Sequence, residues 1–118
     1  MTVSANTKLN ALLRDFAHGA KRIFDTQLVD IILFGSYATG NNDEESDIDI
    51  AILADIPREA EKNYTDAIVS LIAKIDREYE YVVLLSPILI SKSFFDEWNE
   101  VIPFYRTLKT KGVKIDVM

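Results

Sequence analysis

Apolar and polar residues repeat with two different periods along this chain, and each period indicates a different kind of element. Over residues 7–26 and 57–78, apolar side chains recur at three- and four-residue steps, which predicts two long amphipathic helices. Residues 28–34, 47–54 and 80–90 are instead rich in Val, Ile and Leu without that period, which is typical of strands. The chain therefore alternates predicted helices and strands.

Capping and turn residues mark the shorter elements. A short helix is predicted to begin at Ser36, directly after the first strand. Further helices are predicted from a serine cap through Trp98, and from Pro103 to a stop at Gly112. Residues 113–117 are predicted to form a last, short edge strand.

This order of elements predicts an α+β fold, in which a small mixed β-sheet is backed by helices. Pro87 cannot donate to a ladder, so the third strand is expected at a sheet edge or a bend. The length of 118 residues predicts one domain spanning 1–118. A group of aromatic residues near the C-terminus is expected in the core, with an apolar patch for a partner as the alternative: Phe94, Phe95, Trp98, Phe104 and Tyr105.

Composition and charge narrow the classes of function. The formal net charge is -6, so a broad footprint on a phosphate backbone is not expected, and DNA is not a predicted partner. The sequence contains no cysteine, which excludes disulfides and thiolate metal sites. Apolar stretches are too short to span a bilayer, and no signal-peptide pattern opens the chain. These features predict a cytoplasmic protein that does not bind membranes.

The segment 35–49 holds the candidate chemistry. It begins with Gly35 and Ser36, continues through ten residues rich in Gly, Asn and acids, and ends on an Asp-Ile-Asp triplet. A glycine lets the backbone come close to a ligand, and the N–H groups at the start of a helix attract phosphate. Gly35 and Ser36 are therefore candidates for holding the phosphates of a nucleotide.

The two acids of that triplet, Asp47 and Asp49, are two positions apart on a predicted strand and should project from one face. Ile48 and Ile50 should then project from the other face, into the core. Paired carboxylates are hard oxygen ligands, so the pair is predicted to bind Mg²⁺. An Asp-x-Asp pattern alone has a high false-positive rate, and the preceding strand, Gly-Ser turn and polar loop make the prediction specific.

A third carboxylate could act as a general base or complete the metal site. Glu80 is the predicted candidate and Glu78 the second, with a solvated acid as the alternative reading of both. A calcium loop that starts at Asp43 is excluded, because its sixth position would be Ile48 instead of Gly and its twelfth position would be Ala54 instead of Glu.

The Gly-Ser turn, the ten-residue spacer and the Asp-x-Asp pair resemble the signature of the DNA polymerase β-like nucleotidyltransferase superfamily, and above all its minimal bacterial members, the MNT proteins. The resemblance implies the polymerase β-like fold and a protein adenylyltransferase that uses ATP and Mg²⁺. It implies that Gly35 and Ser36 hold the triphosphate and that Asp47 and Asp49 hold the metal. MNT proteins commonly act as antitoxins, which implies a HEPN-type toxin as partner, modified on a tyrosine.

One departure from the family pattern leaves alternatives open. Family members often carry the third acid as an Asp inside an apolar strand, whereas residues 81–85 here are Tyr-Val-Val-Leu-Leu and only Glu80 lies beside them. The chain is therefore expected to be an enzyme that moves AMP to a hydroxyl, with a non-catalytic antitoxin or binding module as the alternative. Transfer to a small molecule is a further alternative, and the oligomeric state stays open.

Overall fold

The computed structural model describes residues 7–40, 47–80 and 84–115. Its helices are α1 (Thr7–Phe24), α2 (Ser36–Thr39), α3 (Thr65–Glu78), α4 (Lys92–Trp98) and α5 (Pro103–Lys111). Its strands are β1 (Leu28–Phe34), β2 (Ile48–Ala54), β3 (Leu85–Ser91) and β4 (Val113–Lys114). Short 3₁₀ segments at Asp25–Gln27 and Arg58–Tyr64 lead into β1 and α3.

Within the described residues, the strands form one mixed sheet in the order β3-β2-β1-β4. The hairpin partners β1 and β2 are antiparallel, β4 is antiparallel to β1, and β3 is parallel to β2. The predicted α+β fold with a small mixed sheet is confirmed. β3, which contains Pro87, and β4 lie at the two edges, as predicted.

Each face of the sheet is covered by different helices. The first face carries Ile48 and Ile50, both fully buried, and packs against the apolar stripes of α1 and α3. The second face carries Ala51 and Leu53 and packs against Phe95 of α4 and Leu108 of α5. Because β2 is buried on both faces, its sequence becomes continuously apolar after Asp49.

Two helix boundaries differ from the prediction. The helix predicted over 7–26 ends at Phe24, because Asp25 adopts a left-handed φ of 50°. The helix predicted from Pro57 starts with a 3₁₀ segment, in which the Ala60 N–H donates to the Pro57 carbonyl at 2.9 Å. Most of the ten-residue spacer after Ser36, and the start of the predicted strand 80–90, fall on residues 41–46 and 81–83, which lie outside the described residues.

Candidate active site

A tight turn connects β1 to the short helix α2. Gly35 occupies it with φ 74° and ψ −152°, a backbone conformation that essentially only glycine adopts. The Ala38 N–H donates to the Gly35 carbonyl at 3.1 Å, which closes the first turn of α2 over Ser36. The predicted strand, Gly-Ser turn and short helix are therefore present.

The carboxylate of Asp49 lies directly against this turn. In the antiparallel register of β1 and β2, Asp49 is the partner of Phe34, the residue before Gly35. A Cβ atom built on Gly35 would fall 2.4 Å from Asp49 Oδ2 and 3.3 Å from its Cγ. Gly35 is thus required twice, once for its positive φ and once because the carboxylate occupies the space of a side chain.

Asp47 and Asp49 occupy the positions that the alternation predicts. Ile48 between them is fully buried on the first face, whereas Asp47 is exposed and Asp49 is half-buried at the other side of the strand. Burial, and next the negative charge of Asp47, raises the pKa of the Asp49 carboxyl. The two acids are therefore close enough to repel each other, and a bound cation would relieve that repulsion.

The residues of β3 beside this pair are not acidic. In the parallel register of β2 and β3, Ser86 is the partner of Asp49, and neighbouring strands are about 4.8 Å apart. The Ile48 N–H donates to the carbonyl of Leu84 at 2.9 Å, so Leu84 lies next to the start of β2, and its side chain is 58% exposed. Sequence reasoning missed both neighbours, because only the register of β3 on β2 reveals them.

The structure places the two predicted third acids at the end of α3. Glu78 is its last residue, and Glu80 is an exposed residue of the following turn with a φ of 57°. Among residues 7–40, 47–80 and 84–115, no three Asp, Glu or His side chains come together in a way that could hold a metal ion. The structure thus brings Asp49, Asp47 and the Gly35 turn together but does not group Glu80 with them, and its catalytic role stays a prediction.

The two carboxylates suit an Mg²⁺ ion that binds together with the phosphates of a nucleotide. Mg²⁺ is usually bound by one or two carboxylates together with substrate phosphates, and it keeps several waters. Asp47 and Asp49 supply those carboxylates at the N-terminal end of β2. No larger cluster of protein ligands is needed for such a site.

Other residues with plausible chemistry point elsewhere. The Arg58 guanidinium lies 4.0 Å above the centroid of Phe94, which makes it a cation–π partner of α4. Lys74 lines a groove between α1 and α3, and Tyr37 packs against the core of the first face. Asp49 lies on the second face, whereas Lys74 and Tyr37 belong to the first face, and Arg58 is placed against the Phe94 ring of α4.

Comparisons with known proteins show the family to which this chain is similar. A family model described as "Nucleotidyltransferase domain" matches residues 13–117. Three proteins of Methanocaldococcus jannaschii, each named "Putative protein adenylyltransferase", are similar to this chain. Two are 36% identical, over 73% of this chain and 87% of the relative in one case, and over 70% and 54% in the other. The third is 31% identical over 85% of this chain and 90% of the relative.

No helix in the described part of the chain is long and apolar enough to cross a membrane.

Proposed function

The chain belongs to the nucleotidyltransferase domain family and is a transferase, and we propose that it moves AMP from ATP to a hydroxyl group in a reaction that depends on Mg²⁺. The observation that carries the proposal is the contact between the Asp49 carboxylate and Gly35. It unites a carboxylate pair that suits a metal with a backbone turn that suits phosphate.

The proposed reaction is a displacement at the α-phosphorus of ATP. The acceptor oxygen forms a bond to that phosphorus, the bond to the departing pyrophosphate breaks, and the acceptor proton passes to a carboxylate. Gly35 and Ser36 bind and orient the triphosphate, and Asp47 and Asp49 would hold Mg²⁺. When bound, the ion neutralises phosphate charge and makes the acceptor hydroxyl easier to deprotonate. Glu80 is the predicted base for that proton.

We propose a protein as the acceptor, in the cytoplasm. The similar proteins are named as protein adenylyltransferases, and the resemblance to MNT antitoxins suggests a tyrosine of a HEPN-type toxin. Under this proposal the chain is an antitoxin that silences its partner by attaching AMP.

A second candidate function is neutralisation of the partner by binding alone. The observation in its favour is the neighbourhood of the carboxylate pair, where Ser86 of β3 and the preceding Leu84 lie in place of a third acid. A domain that keeps the fold but transfers AMP slowly could still bind its partner.

Labelling of the co-purified partner separates the two candidates. The protein is purified from its host together with its partner and incubated with ATP labelled at the α-phosphate and Mg²⁺. Transfer predicts a labelled partner that is heavier by one or more AMP units, and no label with Asp47→Asn/Asp49→Asn. The matched control is Asp55→Asn/Asp66→Asn, which removes the same charge from two exposed positions. Neutralisation that survives the Asp47→Asn/Asp49→Asn change without any label would favour binding alone.

A further inference from the structure

Aromatic side chains form a connected row on the face of the sheet that carries Asp49. The row runs from Phe34 through Phe104, Tyr105 and Phe94 to Trp98. Successive ring centroids are 5.2, 6.0, 5.9 and 6.1 Å apart. The rings contact one another in a row because α4 and α5 both pack on the second face of the sheet.

One end of this aromatic row abuts the candidate active site. Phe34 precedes Gly35 in the chain and is the register partner of Asp49, so both side chains project from the same face. Phe104 meets Phe34 edge-on, with an angle of 74° between the rings. The N-terminal end of α5 therefore lies near the end of the β1–β2 ladder, where Asp49 is placed.

Phe104 differs from the buried members of the neighbouring core. It is 39% exposed, whereas Phe95 of α4 is 7% exposed. Its edge-to-face contact with Phe34 holds the ring in place and leaves part of it open to solvent. An oriented, partly exposed ring beside the turn proposed to bind phosphate has the properties of a stacking surface for a base.

We propose that Phe104 stacks on the nucleobase of the donor nucleotide. This inference rests on the proposed function, because that function places the α-phosphate at Asp49 and so confines the base to within one ribose of it. The other exposed ring of the row, Trp98, is separated from Phe34 by three intervening rings. Tyr37, the aromatic residue that directly follows the turn in sequence, packs into the core of the opposite face.

Stacking on an aromatic side chain contributes about 1–3 kcal/mol per base, and each 1.4 kcal/mol corresponds to tenfold in affinity. Loss of the ring should therefore weaken binding of ATP about tenfold. Inorganic tripolyphosphate has the phosphates but no base, so its binding should not depend on Phe104. Every base offers a π-face, so we expect GTP to lose affinity in parallel with ATP.

Calorimetric titration of the full chain with Mg²⁺-ATP and with Mg²⁺-tripolyphosphate tests the assignment. Phe104→Leu keeps an apolar contact with Phe34 and removes the ring, Phe104→Tyr restores a ring, and Trp98→Leu is the control at the far end of the row. We expect wild type to prefer ATP to tripolyphosphate. Phe104→Leu should weaken ATP binding about tenfold and so remove that preference, whereas Phe104→Tyr and Trp98→Leu should retain it.

The remaining outcomes overturn the assignment in distinguishable ways. If Phe104→Leu leaves ATP affinity unchanged, or weakens ATP and tripolyphosphate equally, the base does not lie on Phe104 although the nucleotide site stands. If wild type binds neither ligand, the proposed function fails, and the base-stacking role fails with it. Circular dichroism of each variant confirms that the compared proteins are folded.

Discussion

The carboxylate of Asp49 occupies the space that a side chain at position 35 would fill, with Oδ2 2.4 Å from the Cβ position of Gly35. This contact joins the turn after β1 to the acidic end of β2. The separate local features of a glycine turn and an acid pair become one site only because the two strands pair in the register Phe34 to Asp49.

Replacement of Gly35 by Ala should destabilise the protein and abolish transfer. The backbone strain at φ 74° costs about 1–3 kcal/mol, and the added methyl group displaces the Asp49 carboxylate. Gly40→Ala is a matched control, because Gly40 also has a positive φ of 80° but a Cβ there meets nothing within 4 Å. Urea unfolding should show a loss of stability in both variants, whereas AMP transfer should be lost only in Gly35→Ala. Equal activity of the two variants would contradict the role of the contact.

Asp49→Asn should stabilise the metal-free protein at neutral pH. Burial and the charge of Asp47 raise the pKa of Asp49 in the folded state, so the wild type loses stability as pH rises through that pKa. The asparagine side chain does not titrate. Its advantage in the free energy of unfolding should therefore shrink as the pH falls towards about 3.9, the pKa of Asp in an unfolded chain. Thermal unfolding in a chelator at pH 7 and pH 4 measures this, with Asp55→Asn as the exposed control. An advantage that is the same at both pH values would contradict this explanation.

Ser86→Asp should tighten the binding of a divalent ion to the free protein about tenfold. Ser86 is paired with Asp49 across strands about 4.8 Å apart, so the new carboxylate adds a third charged ligand to the pair. Electron paramagnetic resonance of Mn²⁺ reports the free ion during a titration. Ser70→Asp, on the exposed side of α3, adds the same charge away from the site and should leave the affinity unchanged. The placement of Ser86 is wrong if the two variants bind Mn²⁺ equally.

Tyr79→Phe should destabilise the contact between α1 and α3. The Tyr79 hydroxyl donates to the Asp15 carboxylate at 2.5 Å, and such a bond to a charged group is worth about 1.5 kcal/mol. Burial, and next this hydrogen bond, raises the pKa of Tyr79 to about 12. The hydroxyl therefore contributes its stability fully below pH 10, and the contribution is lost as the pH rises through about 12. Chemical denaturation of both proteins at pH 8 and pH 11.5 should show the difference shrinking, and an additive double mutant with Asp15→Ala would argue against the bond.

Local sequence determines most of the elements. The apolar run of β1 ends where Gly35 breaks it, and the bounds Leu28–Phe34 are those predicted. The alternation at the start of β2 places Ile48 in the core and Asp49 at the site, because side chains alternate along any strand.

The position of β3 could not be read from the sequence. Its parallel register on β2 results from packing between segments distant in the chain, and no local pattern specifies it. This register puts Ser86 beside Asp49, whereas sequence reasoning chose Glu80 because it is the acid at the start of the predicted strand 80–90. The division of the aromatic group likewise depends on how α5 packs, which buries Phe95 under it and leaves Phe104 exposed at the site.

The coupling between ATP and Mn²⁺ binding tests the central claim most directly. If Asp47 and Asp49 share one ion with a triphosphate on the Gly35 turn, ATP should tighten Mn²⁺ binding to the wild type at least tenfold beyond their association in solution. By linkage, Mn²⁺ should tighten ATP binding by the same factor. The account predicts this coupling in the wild type and its loss in Asp47→Asn/Asp49→Asn. Coupling of equal strength in both proteins would contradict it.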